Sequence, residues 1–389
     1  MLQRFLRDSI EPETCSFHKS VHLFSLLITF IFKLRKILSE ERASIIVVII
    51  HALLLHKLRK YGIGGKNLCW IQDFLSDRSQ RVKIGEQLSD PVAVESGVPQ
   101  GGVLSGLMFI LYMNDLPDCL NHVQISMYAD DAKIYAPVSS QDSIASVQAD
   151  LDRLSTWCRR WRMKLNAEKC FFLHYLPQNT SKTYPMFFLE GTALARRESA
   201  SDLGVIVKDN LKFHEQVAKA CKKATIQINT IRRSFQSRNP KFLETMYKTY
   251  VRPHLEYCIQ VWNPVYAGDI MAMEKVQNRF SRLLPQSRVL THQERNRKLN
   301  ITSHATRRLR GDLIYIYKMY NGPLFTPSSE TRTRGHAKKI RVEHSNNNIR
   351  KHSFSVRNVA AWNGLPEDVV DAESLNIFKA RLDSHLSTM

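Results

Sequence analysis

Ile125-Ser126-Met127-Tyr128-Ala129-Asp130-Asp131-Ala132-Lys133-Ile134-Tyr135-Ala136 is the stretch that decides the fold. Ile125, Met127 and Tyr128 precede the acidic pair, and Ile134, Tyr135 and Ala136 follow it. Two short apolar runs around so brief a polar break predict a tight β-hairpin with adjacent carboxylates at its tip. Neighbouring carboxylates repel each other unless a positive group sits beside them. A divalent cation meets that need, because Mg²⁺ favours one or two carboxylates together with substrate phosphates. The alternative for a match this short is a solvated turn, so the surrounding sequence has to choose.

The chain has 389 residues, 43% of them apolar and 9% aromatic, which suits a globular protein of two or three domains. Its net charge of +20 favours a polyanionic partner, nucleic acid foremost, with an anionic membrane surface or a merely basic protein as alternatives. The excess is concentrated. Arg279, Arg282, Arg288, Arg295, Arg297, Lys298, Arg307, Arg308 and Arg310 face only Glu294 and Asp312 over the same stretch. Lys219, Lys222, Lys223, Arg232, Arg233 and Arg238 lie on a helical stretch just before it. The C-terminal half is therefore the expected polyanion-binding surface.

Seven scattered cysteines form no C-x-x-C pair and no Cys/His cluster at metal spacing. That argues against a zinc module or a disulfide framework and suits a reducing compartment, nuclear or cytoplasmic. Residues 21–32 (VHLFSLLITFIF) are apolar behind Arg4, Arg7 and Lys19, and a second apolar run begins at Ile45. Each is too short to span a bilayer alone, and charged residues separate them. The first run resembles a signal core but no small-x-small cleavage site follows, so membrane association is not expected.

Leu54, Leu55, Leu58 and Tyr61 recur at helical spacing before a Gly62-Ile63-Gly64-Gly65 stop, and Leu68, Ile71, Phe74 and Leu75 continue on a second helix. Residues 81–84 and 92–94 read as strands. The stretch Ser96-Gly97-Val98-Pro99-Gln100-Gly101-Gly102 leads into an apolar helix from Val103; its glycines allow close backbone approach to a ligand, and Gln100 offers an amide. Residues 143–162 are amphipathic, with Ile144, Val147, Leu151, Leu154 and Trp157-Cys158 on one stripe. Short strands at 169–175, 186–189 and 203–207 complete an α+β pattern with a largely antiparallel sheet. Beyond about residue 211 the spacing is helical, with Pro240 opening one helix. Residues 327–352 are polar and basic and read as a flexible arm; an apolar tail follows.

These segments together resemble one family, the reverse transcriptases of non-LTR (LINE-type) retrotransposons. SGVPQG (96–101) is similar to the family's template- and nucleotide-contacting loop, and MYADDAKIY (127–135) to its metal-binding hairpin. HALLLHKLRKYGI (51–63), WIQDFLSDRSQRVKIG (70–85), YMNDLP (112–117) and WCRRWRMKLNAEKC (157–170) are similar too. SDLGVIVKDNLKFHEQV (201–217) resembles the strand pair that grips the primer end. The likeness runs on through KTYVRPHLEYCIQVWNP (248–264), MEKVQNRFSRLL (273–284), RRLRGDLIYIYKMYNG (307–322) and WNGLPEDVV (362–370).

The resemblance implies a partial right-hand polymerase palm, an antiparallel sheet with packed helices, over 51–211. A mainly helical, basic thumb and C-terminal region follows over 212–326, then the arm at 327–352 and a tail at 353–389. It implies two Mg²⁺ ions that stabilise the attacking and leaving oxygens of nucleotidyl transfer. Asp130 would be the main ligand, Asp131 an auxiliary one, and Lys169, or less readily Lys164, would stand near the leaving pyrophosphate. Gln100, Gly101 and Tyr128 would contact template and nucleotide. The implied partners are an RNA template, a DNA primer and deoxynucleotides, with no specific protein partner.

The sequence also departs from the family. A carboxylate strand of the form D-x-x-x-A-F-D is due just before His51, but the chain reads Glu40-Glu41-Arg42-Ala43-Ser44-Ile45-Ile46-Val47. Aligned without gaps, Glu41 takes the place of the metal-binding Asp, Ile46 that of the aromatic sugar gate and Val47 that of the second Asp. Gly102 stands where the family usually has Ser, and Ser105-Gly106 where it usually has Gly-Pro. Residues 1–50 match no family motif and read as a divergent apolar segment ahead of an N-terminally truncated, catalytically impaired domain. Two other readings compete with loss of activity: an active RNA-directed DNA polymerase using Glu41 and Asp130, and a non-catalytic nucleic-acid-binding protein built on the basic helical half.

Overall fold

The computed structural model describes residues 39–46 through their backbone, and 49–128, 131–175, 184–322, 324–328, 335–345 and 348–387. The apolar run 21–32 lies outside the described residues. The chain divides after Glu198 into two units.

The first unit is organised by one sheet. Strand β1 (Ser39–Ile46) is followed by helices α1 (His51–Lys60) and α2 (Gly65–Leu75). Four two-residue strands, β2 (Ser79–Gln80), β3 (Lys83–Ile84), β4 (Gln87–Leu88) and β5 (Val92–Ala93), pair as β2 with β5 and β3 with β4. Helix α3 (Val103–Met113) leads to the hairpin of β6 (Gln124–Tyr128) and β7 (Asp131–Ala136). Then come α4 (Gln141–Arg160), β8 (Lys164–Leu165), β9 (Phe171–His174), β10 (Phe188–Leu189), β11 (Thr192–Ala193) and β12 (Ala195–Arg196). The main sheet has the order β12-β9-β1-β7-β6, with β8 also on β1, and only the β12–β9 pair is parallel. Strand β1 is central: Ser39 to Ser44 pair with Ala136 to Asp131 on one edge, and Ser39 to Arg42 with His174 to Phe171 on the other.

Helix α4 shows why this layer forms. Ser140 and Ser143 cap its start reciprocally, and the expected stripe is buried at Val147, Leu151, Leu154, Trp157 and Cys158. One buried position on this helix is charged. The Asp150 carboxylate accepts the backbone N–H of Asn121 (3.1 Å), His122 (2.6 Å) and Val123 (2.9 Å), which fixes the turn that feeds β6. Arg153 adds a contact of 2.5 Å.

The second unit begins with the hairpin of β13 (Ser199–Asp202) and β14 (Val205–Lys208) and is helical thereafter. Its elements are α5 (His214–Ser234), α6 (Pro240–Met246), a π-helical turn (Tyr247–Val251), α7 (Arg252–Glu256), α8 (Ile259–Trp262), α9 (Ala267–Ser281), α10 (His292–Lys298) and α11 (His304–Met319). Short helices from Asn348 to Val370 and a terminal helix α12 (Leu375–Ser387) follow. Trp262, Phe280, Ile316, Trp362 and Phe378 are at most 1% exposed in its core, so the apolar tail docks on the helices before it.

Part of the stretch expected as a flexible arm is folded. Pro327 and Ile340 form an antiparallel bridge, His336 contacts the Trp362 carbonyl at 3.0 Å, and Trp362 Nε1 donates to Lys338 O at 2.8 Å. Backbone pairing and one buried imidazole hold residues that show no apolar period in sequence.

Burial alone would raise the Asp150 carboxyl, yet the amides of His122, Asn121 and Val123 and the Arg153 guanidinium hold it below its ordinary value. Folding therefore favours the carboxylate. That stabilisation is complete above the unfolded value of about 3.9 and is lost as pH falls through the lower folded value. Asp150→Asn should destabilise the protein by about 2–4 kcal/mol in urea unfolding at pH 7 and flatten the acid limb of stability against pH. An unchanged midpoint would show that the turn does not need the carboxylate.

Candidate active site

Tyr128 pairs with Asp131 at the closed end of the β6–β7 hairpin, so only Ala129 and Asp130 separate the strands. Asp130, the expected principal ligand, lies outside the described residues, as does Ala129. Asp131 is half-buried at the first position of β7, and Tyr128 is exposed. From Ala132 to Ala136 every residue is buried, so both faces of this strand are covered.

The register identifies the neighbour across β1. Ser44 is opposite Asp131, and Glu41 is opposite Ile134. Glu41 therefore sits three rungs from the acidic turn, about 10 Å along the strand. No carboxylate of β1 occupies the rung of Asp131. Among the described residues no three His, Cys, Asp or Glu side chains come together in a group able to hold a metal ion.

The other expected residues converge on the same end of β1. Ile45 and Ile46 pair with Leu165 and Lys164, so Lys164 lies two rungs beyond Ser44. Lys169 ends the 3₁₀ turn Ala167–Lys169 between β8 and β9, both of which pair with β1. Its amide is tied to the Asn166 carbonyl at 3.0 Å, and its side chain is exposed.

The glycine-rich loop is anchored just beyond that end. Gly97 N donates to Ile49 O at 2.7 Å, Ile50 bridges to Ser96, and His51 Nε2 donates to Gly97 O at 2.8 Å. Pro99 to Gly102 then form a turn closed by Gly102 N to Pro99 O at 3.2 Å, with Gly101 at φ +86°. A positive φ at the third position of such a turn is what glycine supplies, and it leaves Gln100 exposed at the tip. His51 is a positioning residue that the sequence does not reveal; it acts across 46 positions of chain, and no local pattern announces such a contact.

Two departures from the family pattern are coupled. Ser105 Oγ donates to Pro99 O at 2.5 Å, and a Cβ at Gly102 would lie only 2.9 Å from that hydroxyl. The serine expected at 102 from the resemblance would press on Ser105 Oγ and turn that hydroxyl away from Pro99 O. The small residue has moved to the other side of the contact. Gly102 has φ −72°, so its backbone would accept a side chain, and the contact with Ser105 is what opposes one. Gly102→Ser should cost about 1–3 kcal/mol through overpacking, and adding Ser105→Gly should recover part of that loss. Equal stability of Gly102→Ser and the parent in thermal unfolding would remove the coupling.

Among the described residues no helix is long and apolar enough to cross a membrane. The profile of the reverse transcriptase (RNA-dependent DNA polymerase) family matches residues 48–243, half of the chain. Among curated proteins, the chain is 26% identical over 226 residues to the probable RNA-directed DNA polymerase from transposon X-element of Drosophila melanogaster, covering 55% of this chain and 24% of that protein. It is 27% identical over 230 residues to the corresponding protein of transposon BS, covering 55% and 25%. It is 26% identical over 203 residues to the RNA-directed DNA polymerase from mobile element jockey of Drosophila funebris, covering 49% and 22%. The chain thus spans about a quarter of the length of these relatives. The chain therefore belongs to the reverse transcriptases, of the non-LTR retrotransposon kind.

Proposed function

We propose that residues 51–211 form a right-hand palm that has kept its architecture but lost polymerase activity, and that the helical region over 212–326 is a thumb that retains affinity for nucleic acid. The observation that carries this reading is the rung shared by Ser44 and Asp131. In the family's chemistry divalent ions are held between two strands and stabilise the attacking and leaving oxygens together. Asp130 and Asp131 supply one side of such a site. No carboxylate of β1 stands opposite Asp131: the residue there is Ser44, and Glu41, aligned with the family's metal-binding Asp, lies three rungs away. The donor set fits half of the metal pair, and no catalytic step is assigned to it.

Binding roles are proposed for the remaining expected residues. Gln100 and Gly101 at the exposed turn would face template and nucleotide, Tyr128 would flank the acidic turn, and Lys169 would stand near a departing pyrophosphate. An RNA template, a DNA primer and deoxynucleotides are the partners proposed.

A reading as a nucleic-acid-binding protein without chemistry is favoured by a separate observation on the basic residues of the second unit. Lys222, Lys223, Arg232 and Arg233 on α5 and Arg297 and Lys298 on α10 are exposed. Others are engaged inside the protein. Arg295 is buried and donates to Ser281 Oγ (3.1 Å) and Asn278 Oδ1 (2.7 Å), and Arg307 grips Glu256; Arg310 pairs with Asp383 at the surface.

Extension of a DNA primer on an RNA template with Mg²⁺ or Mn²⁺ tests the loss of chemistry. The expected result is no incorporation above background, since losing one side of a two-metal site removes several powers of ten in rate. Incorporation that Asp130→Ala abolishes would overturn the proposal. Single-stranded RNA should still bind the full chain, with log affinity falling linearly against log salt by about 0.7 per phosphate contacted. Binding indifferent to salt would remove the thumb reading.

A further inference from the structure

A polar cavity of about 140 Å³ lies within the second unit, against the π-helical turn. The turn has a local cause. Pro253 carries no amide hydrogen and its ring crowds the preceding helical turn. The Arg252 amide reaches back five residues, to the Tyr247 carbonyl. Single π-turns of this kind occur often at functional sites. Lys248 within the turn and Arg252 and Glu256 after it recur every fourth residue and line the same cavity, as do Asn300, His304 and Arg307.

The charges in this wall do not balance. Arg307 takes both oxygens of Glu256, at 2.7 and 2.8 Å. Arg252 is left with Nε 3.8 Å from one of those oxygens, beyond hydrogen-bond range. Lys248 pairs with Glu244 at 2.5 Å, but that carboxylate also accepts from Lys241 at 3.1 Å and Asn300 at 2.8 Å. Among the described residues the lining presents three cations and one carboxylate, and with Glu244 just outside it on Lys248 one positive charge is left in excess. Burial, then the nearby Arg307, pushes the Arg252 guanidinium below its ordinary value, with Arg310 adding to the effect. Burial, with Arg308, Arg307 and His292 adding to it, brings the His304 imidazole down to about 3, so it is neutral at physiological pH. Tyr247 Oη stands 3.3 Å from its Nε2.

We propose that this cavity binds a tetrahedral phosphoryl anion, with Arg252 and Lys248 as its direct cationic contacts and Arg307 held in position by Glu256. Arginine presents planar, paired donors that match phosphoryl oxygens, and lysine adds a point charge. The site is independent of the hairpin and of whether the palm still holds metal.

The full chain is titrated with inorganic phosphate at constant ionic strength, with chloride as the reference salt, by calorimetry and thermal unfolding. Saturable binding with a raised melting temperature is expected from phosphate and not from chloride. Arg252→Gln and, separately, Lys248→Gln should each weaken it by about 10- to 100-fold. Competition by single strands then identifies the source: displacement by a 5′-phosphorylated but not a 5′-hydroxyl oligonucleotide assigns a strand terminus, and displacement by neither assigns a free ion. Equal responses to phosphate and chloride in the parent protein, or parental affinity in both variants, would overturn the site.

Discussion

The middle position of a sheet must satisfy backbone hydrogen bonds along both of its edges, and the first unit depends on how residues 39–46 meet that demand. They pair with β7 on one side and with β9 and β8 on the other. An unpaired amide or carbonyl buried there would cost about as much as a lost hydrogen bond, so the position has to be filled by an extended segment. That requirement is indifferent to side chains, provided they tolerate a strand. Polymerase chemistry is not indifferent, because it turns on which side chain stands at one rung. The ladder is therefore kept whatever side chain stands opposite Asp131, and here that residue is Ser44, with Glu41 three rungs away.

A further constraint lies under α1, α3 and α4. Lys57 is 2% exposed, with its ammonium 3.8 Å from the Trp161 ring centre, 4.7 Å from Trp157 and 4.9 Å from Tyr112. Its ion pair with Asp115 is 2.5 Å, and Tyr112 Oη donates to the Trp161 carbonyl at 2.7 Å. Burial lowers the Lys57 ammonium below its ordinary value, against the pull of Asp115. A desolvated cation over aromatic faces gains about 2 kcal/mol or more per good contact, while the same cation without its carboxylate would be strongly destabilising. The family-like segments HALLLHKL, YMNDLP and WCRRW meet in this one cluster. Much of what makes the sequence recognisable is thus packing around a buried charge, and it says little about catalysis.

How much is legible in the sequence follows from range. The hairpin, the stripe on α4 and the glycine turn are local, each fixed within a few residues by a period of two, a period of three or four, or a positive φ at Gly101. Strand β1 is not legible as such. Residues 39–46 show no alternation, and their state is imposed by neighbours from 131–136 and 164–174. The His51–Gly97 contact and the exchange between Gly102 and Ser105 belong to the same class. In sequence Gly102 and Ser105 are two unrelated departures from the family, and only the 2.9 Å approach in space joins them.

Charge is the bluntest signal, and the second unit shows why. Composition gives +20 without saying which cations face solvent. Arg295 is a buried strut that ties α10 to α9, Arg307 is spent on Glu256, and Arg357 clamps the buried Asp312 at 3.0 Å. Each satisfies a charge or an orphan carbonyl inside the protein and is lost to any external polyanion. Arg252 fits neither class: it faces a cavity whose one lining carboxylate, among the described residues, is already forked to another guanidinium. A run of basic residues is therefore a mixture of three populations, and only their partners separate surface attraction from internal structure and from a charge left over for a ligand.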